Sequence, residues 1–326
     1  MVFYIKIVEI ESKVMKIGLF FMALCLCVFA SCEKDEPVLP PTEQPEEPET
    51  PVEPEEPQEP IPTDGIINWN NEFIIVGDNN MANIGSGTWY SVCYGNGKYV
   101  AVGNGNSSAA YSTDGISWNK TTAGSGLLYS VCYGNEKYVA VGNGNSVAYS
   151  SDGVNWVTKA VTGIGMDGIC YGNGKFVAVG SIGRVAYSSD GVSWNTTKVG
   201  SSITWKTVCY GNGKYVMMGY YGNVAYSTDG VNWTTKTVGS NYWLSVCYGN
   251  GKFVAVGNHG NVAYSTDGVN WTTKIVGSVT WNGVCYGSGK FFAVGSGGAV
   301  TYSTDGVNWT TRMVESTTWN GVCPVQ

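Results

Sequence analysis

From Asp64 to the C-terminus the chain alternates short apolar runs with glycine-rich polar punctuation, and the alternation itself repeats. Around Trp243 it reads "WLSVCY", the turn "GNGK", "FVAVG", a segment "NHGN", "VAYS", the turn "TDGVN" and "WTTKIV". Runs of this length rich in Val, Tyr, Phe and Thr, bounded by Gly, Asn and Asp, predict four strands per unit, here called a to d. Strand b is apolar at consecutive positions, so both of its faces need cover. Aligning on "VCYGNGK" places a cysteine at 93, 132, 170, 209, 247, 285 and 323, a period of 38 or 39. A four-stranded unit repeated at about 40 residues predicts an all-β fold, a β-propeller of antiparallel blades that bury each other's faces around an axis. No helical pattern follows residue 31, and proline is absent between Asp64 and Cys323, as interior strands require.

Six complete units run from Cys93 to about Glu315. Before them, "DGIINWNNEFIIVG" (64–77) aligns with the a–b pair that ends at Gly295, and after them a lone strand a, "WNGVC", ends at Cys323. Leftover strands at both ends predict seven blades, the seventh composite and closing the ring. Six blades with spare terminal strands is the alternative.

Residues 1–63 follow a different pattern. Residues 1–31 read as an export signal whose start is Met15: "MKIGLFFMALCLCVFASC" has a basic beginning, a short apolar run and a small-residue exit. The run is shorter than the roughly 20 residues a bilayer span needs. "FASC" resembles the lipobox of bacterial lipoproteins, with Phe29 where Leu is usual and Cys32 as the residue to be lipidated; a plain secretory signal cut near Ser31 is the alternative. Glu33-Lys34-Asp35-Glu36 resembles the acidic surface-export tag of Bacteroidetes-type lipoproteins, which implies an outer-membrane lipoprotein facing the cell exterior. Residues 32–63 then hold ten of the eleven prolines and, from Glu33 to Glu59, eleven acidic residues. Such a segment cannot build a core; it predicts an extended stalk of about 90 Å at most.

Charge therefore belongs to the stalk. From Asp64 onward 14 Lys and Arg face 12 Asp and Glu, so residues 64–326 form a near-neutral domain with no basic stripe for nucleic acid. The only membrane contact expected is the lipid anchor, and the domain is read as a monomer. The seven repeat cysteines occupy one equivalent position in seven different blades, too far apart for disulfides, and are read as small buried fillers.

One motif recurs six times, as "YSTDGVNWT" at Tyr226, Tyr264 and Tyr302 and as close variants at Tyr111, Tyr149 and Tyr187. It resembles the Asp-box, or BNR repeat, of sialidase-like propellers, with one residue fewer between Asp and Gly than the family pattern Ser-x-Asp-x-Gly-x-x-Trp. The matching aspartates are Asp114, Asp152, Asp190, Asp229, Asp267 and Asp305. An Asp at a hairpin turn accepts hydrogen bonds from backbone N–H groups that the turn leaves unpaired, so these residues are read as structural staples. One carboxylate per blade is too few ligands for a metal, and no metal or cofactor is expected. The resemblance implies that the boxes lie on c–d turns, opposite the catalytic face. It also implies an arginine triad, a Tyr–Glu pair and an acid Asp in active sialidases; this domain has only Arg184 and Arg312.

Function is expected where the repeats disagree. The a–b and c–d turns share one end of a propeller and hardly vary here, whereas the b–c and d–a loops share the other end and do. The b–c loops read "NGNSS", "NGNS", "SIGR", "YYGN", "NHGN" and "SGGA". Four residues before the cysteines stand Trp89, Leu128, Met166, Trp205, Trp243, Trp281 and Trp319, followed by Tyr90, Tyr129, Asp167, Lys206, Leu244, Asn282 and Asn320. Variable aromatic loops on a rigid scaffold are where binding concentrates. The ligand-binding candidates are Trp89, Trp205, Trp243, Trp281 and Trp319, for stacking on sugar rings or a protein, with Tyr220, Tyr221, His259, Arg184 and Asp167. The reading is a non-catalytic surface lipoprotein that binds glycan or protein; a sialidase-like hydrolase and a structural spacer are the alternatives.

Overall fold

A computed structural model of the chain describes residues 66–81, 85–105, 108–144, 146–161, 165–314 and 316–326. The expected export signal, lipidation at Cys32 and stalk lie outside the described residues. The rest is a seven-bladed propeller. Strands a are its innermost: Gly85–Gly95, Leu128–Gly134, Met166–Gly172, Trp205–Gly211, Trp243–Gly249, Trp281–Gly287 and Trp319–Pro324 each neighbour the next, and the last neighbours the first. Blades 1 to 6 continue outward through b, c and d in antiparallel order.

Period-2 alternation explains the stacking. In blade 4, Tyr215 and Met217 of strand b pack with Val177 and Val179 of blade 3. The intervening Val216 and Met218 pack with Val246, Phe253 and Ala255 of blade 5. Five consecutive positions of each such strand, from 215 to 219 in blade 4, are buried, whereas strand d of the same blade, Thr234–Thr237, is exposed throughout. Blades also meet at close approaches of strand a: a Cβ on Gly211 would lie 2.1 Å from Cγ of Tyr248, so only glycine lets the tyrosine of the next blade lie against the strand.

The seventh blade is composite, with a correction to its strand order. The alignment made residues 64–69 its strand a. Instead the C-terminal strand Trp319–Pro324 takes the inner position, pairing Cys323 with Ile74 and Val322 with Ile75. Ile66–Trp69 pairs on the other edge of Phe73–Met81, in the place of strand c, and among the described residues this blade has three strands. Both terminal segments carry a strand-a pattern and compete for one strand b. The C-terminal one enters the ring, and its tryptophan is fully buried there. The far end of Phe73–Met81, from Asp78, pairs with Gly85–Thr88 of blade 1 and ties the closure to the next blade. The seven cysteines are free, Cys209, Cys285 and Cys323 buried and the others half-buried.

Candidate binding site

The two ends of the ring are built differently. At the a–b/c–d end, each of the six Ser-x-Asp-Gly turns is closed by its own side chains. Asp229 Oδ1 accepts from Val231 N and Asn232 N at 2.8 Å each and from Ser227 Oγ at 2.9 Å, while Gly230 N donates to Ser227 Oγ. Asp114, Asp152, Asp190, Asp267 and Asp305 accept the same pair of backbone bonds. Backbone donors from Asn232 and Val231 hold the Asp229 carboxyl well below the usual range, and those from Ser117 and Ile116 bring Asp114 to about 2.

The lysine of each "GNGK" turn then reaches across. Lys98, Lys175, Lys214 and Lys252 donate Nζ to the backbone oxygens of Asp152, Asp229, Asp267 and Asp305, each in the following blade. At the ring closure Lys290 pairs instead with the Glu72 carboxylate, 2.9 Å away. At this end the turn carboxylates and these lysines hold turns closed and join blades.

At the other end every strand a carries a bulge directly after its aligned Trp, Leu or Met. The register shifts between Trp205 and Thr207, and likewise between Trp89 and Ser91, Leu128 and Ser130, Met166 and Gly168, Trp243 and Ser245, and Trp281 and Gly283. A bulge leaves one residue unpaired and re-aims it. Here that residue is Tyr90, Tyr129, Asp167, Lys206, Leu244 or Asn282, with Asn320 as the counterpart in blade 7, where the partner strand shifts between Val76 and Gly77. These seven line the central cavity of about 410 Å³.

The bulge turns the preceding tryptophan inward, which corrects the expectation that Trp89, Trp205, Trp243, Trp281 and Trp319 present stacking faces. Trp89 is 2 % exposed and the others 0 %. Trp205, Trp243, Trp281 and Trp319 donate Nε1 to the carbonyls of Val199, Val238, Val276 and Val314 at the end of the preceding blade's strand d. They staple d to a and have no free ring for a sugar.

Tyrosines stand in and beside this cavity, Tyr90 and Tyr129 in its lining and Tyr220 next to the lining residue Lys206. Tyr220 stacks on Tyr242 at 4.5 Å, and Tyr221 meets Tyr242 edge-on at 5.1 Å. Tyr90 meets Tyr129 edge-on at 5.5 Å. Lys206 lies between the groups, its Nζ 6.0 Å from the Tyr129 ring and 5.9 Å from the Tyr220 ring, and pairs with Asp167 Oδ1 at 2.5 Å. Proximity to the Tyr221 hydroxyl raises the Tyr242 phenol above its ordinary pKa, and burial does the same for Tyr90. Asn320 donates to Asp78 Oδ1 and to the Trp89 carbonyl, and Asn282 to the Trp319 carbonyl, so that sector of the rim is braced.

Of the other candidates, Tyr220, Tyr221, Asp167 and Arg184 belong to the sector over blades 3 and 4, and His259 sits exposed at the tip of the blade 5 loop. Tyr90, Tyr129 and Tyr242 were not among the candidates. The first two stand directly after the aligned Trp/Leu position, so counting one residue further along a bulge-prone strand start finds them. Among the described residues no group of three or more His, Cys, Asp or Glu side chains gathers as metal ligands.

No protein-family model matches the chain, and no curated protein matches it by sequence. Solved structures do match in fold. YCF48 from Cyanidioschyzon merolae is similar at a TM-score of 0.54 and 13 % identity, over 71 % of this chain and 87 % of that one. The structure of YCF48 bound to D1 peptide is similar at 0.55 and 17 %, over 69 % and 82 %. The WD40 β-propeller domain of Doa1 is similar at 0.59 and 13 %, over 72 % and 85 %. At these identities the likeness establishes a β-propeller, the architecture that the repeat and the ring of inner strands define.

Proposed function

We infer that this propeller is a non-catalytic binding module that holds a polypeptide at the tyrosine-rich mouth of its variable end. The observation that carries the reading is the contrast between the buried tryptophans and the tyrosines around Lys206. Tyr rings supply large, rigid contact area with a polar tip, the chemistry favoured where proteins bind proteins. The fold neighbour with a bound D1 peptide supports the same class of ligand. A glycan is less well served, because the indoles that would stack on sugar rings are covered. A hydrolase needs two carboxylates flanking one bond, whereas Asp167 is committed to Lys206 and Asp78 to Asn320.

The same reading places the module on a cell surface. Its support is the signal-like segment from Met15, the lipobox-like "FASC" at Cys32 and the acidic residues after it. Membership of the Asp-box repeat family is likewise part of the proposal, supported by the six Ser-x-Asp-Gly-x-x-Trp turns.

Purified protein applied to an array of short random peptides and to a glycan array tests the reading. Peptides should be captured, and capture should be lost in the Tyr220→Ala, Tyr242→Ala double variant while its thermal midpoint stays within a few degrees. Signal on the glycan array alone would overturn the polypeptide ligand. Turnover of a fluorogenic sialoside would overturn the non-catalytic claim.

A further inference from the structure

Internal repeats let each position be compared with its counterparts in one molecule, and blade 3 departs from them in linked ways. The b–c loops of blades 3 to 6 share a tip residue in the left-handed region: Ile182 at φ 61°, Tyr221 at 58°, His259 at 52° and Gly297 at 65°. Glycine suits that conformation, and a β-branched residue there is a genuine outlier. Ile182 is nonetheless 52 % exposed, so core packing does not account for it.

Two residues on, blades 4 and 5 carry Asn223 and Asn261, which close their loops by donating Nδ2 to the Tyr220 and Asn258 carbonyls at 2.7 Å. Blade 3 has Arg184 instead, directly opposite Lys198 on strand d. The corresponding pairs elsewhere are Asn223–Thr237, Asn261–Ile275 and Ala299–Met313. Like charges directly opposite on a sheet destabilise it. Among the described residues neither cation of the blade 3 pair makes a side-chain hydrogen bond or ion pair.

One segment, Ile203-Thr204, joins this loop to the tyrosine cluster. Gly183 N donates to the Ile203 carbonyl at 2.6 Å, and Tyr220 N to the adjacent Thr204 carbonyl at 3.1 Å. The loops carrying Ile182 and Tyr221 therefore flank the two residues that lead into Trp205 and Lys206. Tyr221 is 68 % exposed.

The geometry points to a subsite over blades 3 and 4 that takes an acidic side chain of an extended polypeptide. Arg184 and Lys198 receive the carboxylate, and Ile182 and Tyr221 contact the apolar residues on either side of it. The assignment rests on the polypeptide reading above and names its chemistry. Charge complementarity carries it: Arg184 stands opposite Lys198, the one acid paired in this sector, Asp167, is taken by Lys206, and a carboxylate between the first two replaces their repulsion with charge-assisted hydrogen bonds. A free inorganic anion would need no exposed Ile182 or Tyr221 beside it.

Two fluorescent octapeptides test this, one alternating Leu and Glu and the other with Gln for every Glu, titrated against the whole protein. The Glu peptide should bind about tenfold more tightly, a difference of about 1.4 kcal/mol. The preference should vanish in Arg184→Gln, Lys198→Gln, whose melting temperature should not fall. Ile182→Gly should raise the melting temperature and weaken binding together, a pairing that a residue kept for structure does not give. Equal, Tyr221-dependent affinity for the two peptides would overturn the acidic subsite and leave the polypeptide reading standing. A sulfated heparin tetrasaccharide bound through Arg184, with the Glu peptide unbound, would overturn it in favour of an anionic glycan. Silence from both octapeptides and from the random-peptide array would overturn both readings.

Discussion

At one end of the ring, Asp229 spends its carboxylate on the backbone of its own turn, and Lys175 of the preceding blade caps the Asp229 carbonyl at 2.9 Å. At the other end, Tyr221 sits at a loop tip, mostly in solvent, in a backbone conformation glycine would fill more easily. The same repeat builds both. Where side chains close turns and join blades, any change has a stability cost, and the six copies stay alike. Where the tip residue takes no part in closing the loop, which in blade 4 falls to Gly222 N on the Asn241 carbonyl at 2.6 Å and to the Asn223 amide, its side chain is released and the copies diverge.

The comparison can be broken most forcefully at the tryptophans, which lie at the variable end yet behave as scaffold. Trp243→Ala removes a fully buried indole and should lower stability by about 3–5 kcal/mol in chemical denaturation. A loss under 1 kcal/mol would mean that the indole is not part of the core, and would reopen it as a ligand platform.

The constant end should answer to acid. Its aspartates titrate below their ordinary 3.8 because backbone donors favour the charged form, Asp114 at about 2. Their contribution is therefore complete above the unfolded pKa near 4 and is lost as pH falls from about 4 towards 2. The melting temperature should be level from pH 7 to 5 and drop steeply through that lower window. A flat profile down to pH 2 would contradict the staple role.

The smallest effects belong to the loop tips, and one has the opposite sign. His259→Gly should stabilise by about 1 kcal/mol, since it removes a left-handed non-glycine residue. Tyr221→Ala should leave stability within about 0.5 kcal/mol and act on ligand capture alone. A large loss in either would show that the variable end is held by its side chains after all.

The candidate residues divide along the same line. Asp167, Tyr220, Tyr221 and Arg184 were legible as non-repeating polar or aromatic residues in a repeating chain, and they share one sector. The tryptophans misled because an aromatic at a loop–strand junction has the same local sequence whether its ring faces solvent or the neighbouring blade. Only the bulge, a mismatch of register with strand b, decides that Trp205 turns inward and Lys206 outward.

Ring closure shows the same division. Two segments, Ile66–Trp69 and Trp319–Pro324, have the pattern of an inner strand, and no local rule says which edge of Phe73–Met81 each will take.

The strands, the turns, the repeat and thus the propeller are set locally along the chain, because alternation and turn chemistry act within a few residues. Tertiary structure decided the strand order of the closing blade, the burial of the indoles and the meeting of Lys206 with Asp167 and two tyrosines. Those depend on register and on neighbours about 40 residues away, where side-chain direction is set by packing between blades.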